Sequence, residues 1–190
     1  MAETGFAHLR NLMEVAMNAP TRILVVFYSR SETTAEFAGR LAAELEGDYE
    51  RLQEVELLRR AGPLGFLRSI LDVVRKRPAP LQPMTHRLAD YDVVLIGTPV
   101  WAGRASTPVS TWISERWRQM RTVAFFCTMG GRGSQDTFAQ MQRLARCVPI
   151  ATCAISARDM RQDVAVEKVA RFVLAIKDAL AARERVVVAR

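Results

Sequence analysis

Three short stretches carry the residue types from which a ligand site can be built. Ser29-Arg30-Ser31-Glu32-Thr33-Thr34 places four hydroxyls and a guanidinium in one run. If a helix begins there, its unpaired N–H groups and dipole make an anion site, which the hydroxyls and Arg30 reinforce. Simple capping by Ser31 or Thr33 needs one hydroxyl only, so the density favours phosphate. Gly97-Thr98-Pro99-Val100-Trp101-Ala102-Gly103-Arg104 offers a tryptophan that could stack on a flat heterocycle or fold back onto the core. Cys127-Thr128-Met129-Gly130-Gly131-Arg132-Gly133 is a glycine-rich turn whose bare amides could hold the polar edge of a ring, or an ordinary flexible loop. With two histidines, His8 and His86, the chain presents no Ser-His-Asp, Cys-His or paired-carboxylate arrangement and no zinc spacing. His86 reads as a surface residue in a proline-rich loop. Catalytic side chains and metal ligands are therefore not expected.

The elements that must position these stretches follow from the apolar pattern. Ile23–Tyr28 is a continuous apolar, β-branched-rich run, as in a strand buried on both faces. Thr34–Leu45 reads as a helix, Leu52–Leu58 as a second strand and Pro63–Arg75 as a helix. Val93–Gly97 is a third strand closed by Thr98-Pro99, and Pro108–Arg118 a helix. Val123–Cys127 is a fourth strand, Ser134–Cys147 a helix, Ile150–Ile155 a fifth strand and Val164–Arg183 the last helix. Val186-Val187-Val188 could add an edge strand. Residues 1–20, with Phe6, Leu9, Met13 and Met17 at helical spacing, read as an N-terminal helical extension that stops at Asn18-Ala19-Pro20. Residues 21–190 then form a single domain. Strands alternating with helices predict an α/β fold, a parallel sheet with helices on both faces. In such a sheet ligands bind beyond the carboxyl ends of the strands, where the three loaded loops lie.

Composition sets the class. The chain has 190 residues, 49% hydrophobic and 25% charged, which excludes a disordered or fibrous protein. Lysine plus arginine number 27 against 20 acids, a net charge of +7, and the only lysines are Lys76, Lys168 and Lys177. This field attracts anionic partners, although no nucleic-acid recognition motif is present. Cys127, Cys147 and Cys153 read as buried thiols of a reducing compartment. Without an apolar run of membrane length or a signal-peptide pattern, the expected location is cytoplasmic. The segment 59–77 carries six basic residues and one acid, Asp72, on a helical pattern. It reads as a packed helix with a solvated basic face, or as a contact for a membrane surface or an acidic protein.

Val25–Thr34 resembles the phosphate loop of the flavodoxin family. Tyr91–Trp101 resembles that family's third strand and first flavin-flanking loop, and the fourth strand with its glycine turn is similar to the second. The resemblance runs over roughly 22–183 in element order. It implies a flavodoxin-like three-layer sandwich, five parallel strands in order 2-1-3-4-5, of the short-chain type, and bound FMN. It further implies that Ser29, Arg30, Ser31, Glu32, Thr33 and Thr34 surround the phosphate. Thr98, Pro99, Val100, Trp101, Ala102 and Gly103 would flank the isoalloxazine, with Trp101 stacked on it. Thr128, Met129, Gly130 and Gly131 would offer amides to its pyrimidine edge. Glu32 and Ala102 stand where glycine is usual in the family. A carboxylate beside a phosphate must face solvent or pair with Arg30, and a positive φ costs alanine roughly 1 kcal/mol more than glycine. Arg104 stands where acids are usual and eases formation of an anionic reduced flavin. These features imply an FMN-dependent oxidoreductase moving two electrons from NAD(P)H to a quinone-like acceptor. The alternatives are a non-catalytic electron carrier docking on a redox partner, and a module that has lost FMN. A homodimer is compatible with either.

Overall fold

The computed structural model describes residues 21–55, 79–162 and 164–188. The N-terminal extension, the helix expected at 63–75 and the whole basic segment 59–77 lie outside them. The elements are β1 (Ile23–Phe27), α1 (Thr33–Glu44), β2 (Asp48–Arg51), β3 (Val93–Trp101), β4 (Arg104–Ala105), α2 (Thr107–Arg116), β5 (Val123–Met129), α3 (Ser134–Ala145), β6 (Thr152–Ser156), α4 (Ala157–Arg161) and α5 (Val164–Val188). The sheet runs β2-β1-β3-β5-β6, all parallel, with β4 pairing back on β3. With β4 set aside, this is the order 2-1-3-4-5, the flavodoxin-like arrangement.

The period-two alternation of the strands builds two cores. Ile23, Val25 and Phe27 of β1, Val93 and Leu95 of β3 and Phe126 of β5 face one side, against Phe37 and Leu41 of α1 and Phe172 and Ile176 of α5. Leu24, Val26, Val94, Ile96 and Phe125 face the other, against Val109, Trp112 and Ile113 of α2 and Met141 of α3. A central strand sandwiched this way has no polar face, which is why β1, β3 and β5 read as unbroken apolar runs.

Several boundaries differ from the sequence reading. The second strand is Asp48–Arg51, not Leu52–Leu58, because β2 is an edge strand with a largely exposed, polar sequence. Residues 186–188 continue α5 as helix and form no edge strand. The third strand runs on past Thr98-Pro99 to Trp101, since Val100 and Trp101 pair with Ala105 and Arg104. His86 is not an unpartnered surface residue: its backbone N–H and Nδ1 both lie 2.9 Å from Glu50 Oε2, which ties its loop to β2. Cys127 and Cys153 are buried, but Cys147, just past α3, is exposed. No helix among the described residues is long and apolar enough to cross a membrane.

The carboxyl end of β6 is held by ions. Ser156 and Asp159 form a capping box on α4, and Lys168 of α5 donates to Asp159 at 2.8 Å and to the Ala154 carbonyl at 3.3 Å. The Lys168 bond, then the Ser156 backbone bond, hold the Asp159 carboxyl down to about 2. A depressed carboxylate contributes stability that is complete above its unfolded pKa, near 4, and fades as pH falls through the folded value. Asp159→Asn is expected to remove about 2 kcal/mol at pH 7 and to leave a flatter acid limb between about pH 4 and pH 2. Urea denaturation across that range measures it, and parallel limbs for both proteins would refute it.

Candidate functional site

The carboxyl ends of β1, β3 and β5 bring the three loaded stretches to one edge of the sheet. β1 ends at Phe27, and the chain passes through Tyr28 and Ser29 into α1. Glu32 sits at the N-cap of α1 with φ 60°, a left-handed residue that makes no side-chain cap bond. The N–H groups of the first turn are thus not satisfied by a cap. Ser29 is 5% exposed, and its Oγ has no hydrogen-bond partner among the described residues. A hydroxyl buried without a partner is rare and marks a site where an acceptor or donor is expected. Ser31 is exposed, with its carbonyl accepting from the Thr33 N–H at 2.8 Å. Thr34 Oγ1 lies 2.7 Å from Thr128 Oγ1, both buried, which joins the start of α1 to the end of β5.

The cation that meets Glu32 is Arg51 of the neighbouring strand, not Arg30 as the sequence reading expected. Arg51, the last residue of β2, stands beside Phe27 in register. Its guanidinium donates to both Glu32 carboxylate oxygens, at 2.6 and 3.1 Å, and to the Ser29 carbonyl at 2.8 Å. Sequence reading missed Arg51 because it set the strand one stretch too late. Placed at 48–51, the strand ends against the phosphate loop, and its last residue becomes a candidate.

The second stretch is a hairpin, not an open loop. Trp101 and Arg104 pair across Ala102 and Gly103, whose φ values of 50° and 75° make the two-residue left-handed turn. The turn tip is therefore Ala102-Gly103, and Trp101 belongs to β3. Trp101 is 9% exposed, packs within the core cluster on the α2 side of the sheet and meets the Tyr28 ring edge-on, centroids 5.7 Å apart. Tyr28 in turn donates to the buried carboxylate of Glu54 at 2.8 Å. Thr98 is fully buried and accepts from the Ser106 N–H at 2.9 Å, closing the base of the hairpin. Just beyond, Thr107 Oγ1 is a second buried hydroxyl without a partner among the described residues, which no sequence signal marked. Pro99 and Val100 are half-buried. Ala102→Gly is expected to stabilise the protein by about 0.5 to 1 kcal/mol, the relief of a left-handed alanine less the entropy that glycine adds to the unfolded chain. Thermal melts of the two proteins check this, and a lower midpoint for the glycine variant would contradict it.

In the third stretch Thr128 and Met129 are strand residues, and the turn proper is Gly130–Gly133. The glycines there differ in kind. Gly133, at φ 105°, lies so near the hairpin that an added Cβ would stand 2.9 Å from Gly103 Cα. It welds the second and third stretches together. Gly130 and Gly131 are exposed, and a Cβ at either would meet nothing within 4 Å. No packing within the described residues requires them to be glycine, which fits a backbone left bare for a ligand. Among the described residues no group of three His, Cys, Asp or Glu is placed to hold a metal ion.

The fold is similar to that of a flavoprotein from Lactobacillus acidophilus NCFM, crystallised in complex with FMN, at TM-score 0.64 and 23% identity over 75% of this chain and 97% of that one. It is similar to a protein of Bacteroides eggerthii DSM 20697 described as a flavoprotein, at TM-score 0.60 and 21% identity over 77% and 97%. An NADH:FMN oxidoreductase in its apo form matches at TM-score 0.52 and 11% identity over 85% and 89%. No curated protein matches the sequence. Residues 22–173, from the start of β1 into α5, match the family described as Flavodoxin, and the chain belongs to that family.

Proposed function

We propose that this chain binds FMN at the carboxyl edge of its sheet and works as a flavin-dependent oxidoreductase. The observation that carries the reading is Ser29 Oγ, buried without a partner beside the uncapped start of α1. The donor set suits a phosphate: hydroxyls of Ser29, Ser31, Thr33 and Thr34, first-turn N–H groups and no competing side-chain cap. Arg30, half-buried in the same loop, adds charge. Thr98–Gly103 would flank the ring system, with Trp101 its stacking surface, and Thr128–Gly131 would take its polar edge. When bound, FMN supplies the electron or hydride chemistry that no side-chain constellation here provides. The protein's own residues anchor and orient it. The solved relative described in complex with FMN supports the cofactor, and the one named NADH:FMN oxidoreductase supports a nicotinamide donor. A quinone-like acceptor completes the reaction. Arg104, exposed next to the hairpin tip, favours an anionic reduced cofactor and hence two-electron transfer.

The test is a visible spectrum of the purified protein after FMN addition and desalting, followed by NADH and NADPH oxidation with a quinone acceptor. Retained flavin with quenched fluorescence and acceptor-dependent turnover is expected. Retained flavin without turnover would leave an electron carrier, and no retained flavin would end the reading.

A further inference from the structure

The geometry points to Arg51 as the residue that makes the first loop selective for a phosphate-bearing ligand: its guanidinium cancels the Glu32 carboxylate at the start of α1. This rests on the FMN reading above and assigns a role to a residue outside its loops.

The chain carries a charge of the wrong sign at its anion site. Glu32 is the N-cap residue of α1, so its carboxylate is carried at the helix end where a phosphate would meet the first-turn N–H groups, although it makes no cap bond itself. Left alone, it would repel a phosphate dianion and compete for the helix N-terminus. Arg51 removes both effects with one group. It takes both carboxylate oxygens, at 2.6 and 3.1 Å, and draws them toward β2. Its third bond, 2.8 Å to the Ser29 carbonyl, anchors the guanidinium to the residue whose hydroxyl is buried and unpartnered. The pair is worth little as a stabiliser, because the Arg51 and Glu32 side chains are 38% and 69% exposed. Its effect lies in the local field: Arg30 is present either way, so losing Arg51 makes the site more negative by one charge and frees the Glu32 carboxylate from β2.

The experiment compares FMN with riboflavin, which shares the ring and ribityl chain but lacks the phosphate. Arg51→Ala is expected to weaken FMN binding by about tenfold or more and to leave riboflavin binding unchanged. Adding Glu32→Gln, which removes the charge while keeping side-chain size, is expected to restore FMN affinity to within about threefold of the parent. Failure of the double variant to recover would mean that Arg51 acts by bracing the Ser29 carbonyl, and equal loss of riboflavin would mean a general loosening of the loop. Either overturns the proposal. If the parent protein binds neither flavin, the FMN reading fails on its own. The ion pair is then tested with inorganic phosphate, read by amide shifts of Ser29–Thr34, for which the same loss and recovery are expected and additive effects would refute the role.

Discussion

An alanine at Gly97 is expected to destabilise the protein by about 3 kcal/mol or more, a large fraction of the total stability of a marginal domain. Gly97 lies within β3, the central strand, paired with Phe27 of β1 on one side and Phe126 of β5 on the other. A Cβ built there would overlap the far edge of the Phe126 ring. Phe126 is 1% exposed and belongs to the core cluster of α1 and α5, so the ring has little free space to retreat into. β3 cannot shift either, because its ladders on both sides fix it. Overpacking of this kind is relieved by shrinking the partner. Phe126→Leu alone is expected to cost about 1 to 3 kcal/mol, yet in the Gly97→Ala background it should raise stability. Urea denaturation of the four proteins gives the coupling. Additive losses, or a Gly97→Ala cost under about 1 kcal/mol, would show that the ring yields. The consequence reaches the site, because the same strand continues through Thr98 to Trp101.

What sequence revealed and what it hid follow one physical line. β1, β3 and β5 are buried on both faces, so their composition alone declares them. β2 pairs on one side only, and Asp48-Tyr49-Glu50-Arg51 carries no apolar signal. The eye is drawn instead to Leu52, buried just past the strand. That slip of one stretch hid Arg51 and with it the partner of Glu32. The hairpin was hidden for a different reason. β4 has two residues, too few for any period, and only the Ala102-Gly103 pair hints at a left-handed turn. Its discovery moves Trp101 from a loop tip into the sheet, against Tyr28. The three loops were legible because their chemistry is local. The contacts that lock them to one another, Thr34 to Thr128 and Gly133 to Gly103, join residues far apart in the chain, and nothing in either partner's neighbourhood announces the other.

Ser29→Ala is expected to move stability and affinity in opposite directions. The Ser29 hydroxyl is buried without a partner among the described residues, and such a group costs about 1 to 3 kcal/mol of desolvation. Replacing it by a methyl removes that penalty at nearly constant volume, so the free protein should gain about 1 kcal/mol. FMN binding should lose the same group as a donor to a charged phosphate, a bond worth about 1.5 to 3 kcal/mol, or roughly 10- to 150-fold in affinity. Riboflavin, lacking the phosphate, should bind the variant as it binds the parent. A structural role for Ser29 predicts the reverse pairing, with stability and affinity falling together. Thermal melts without ligand and fluorescence titrations with both flavins separate the two. A lower midpoint in the free variant would remove Ser29 from the phosphate site. A higher midpoint with weakened FMN binding would mean that the fold holds an unfavourable hydroxyl in place for its ligand, a sacrifice of stability that packing alone gives no reason to keep.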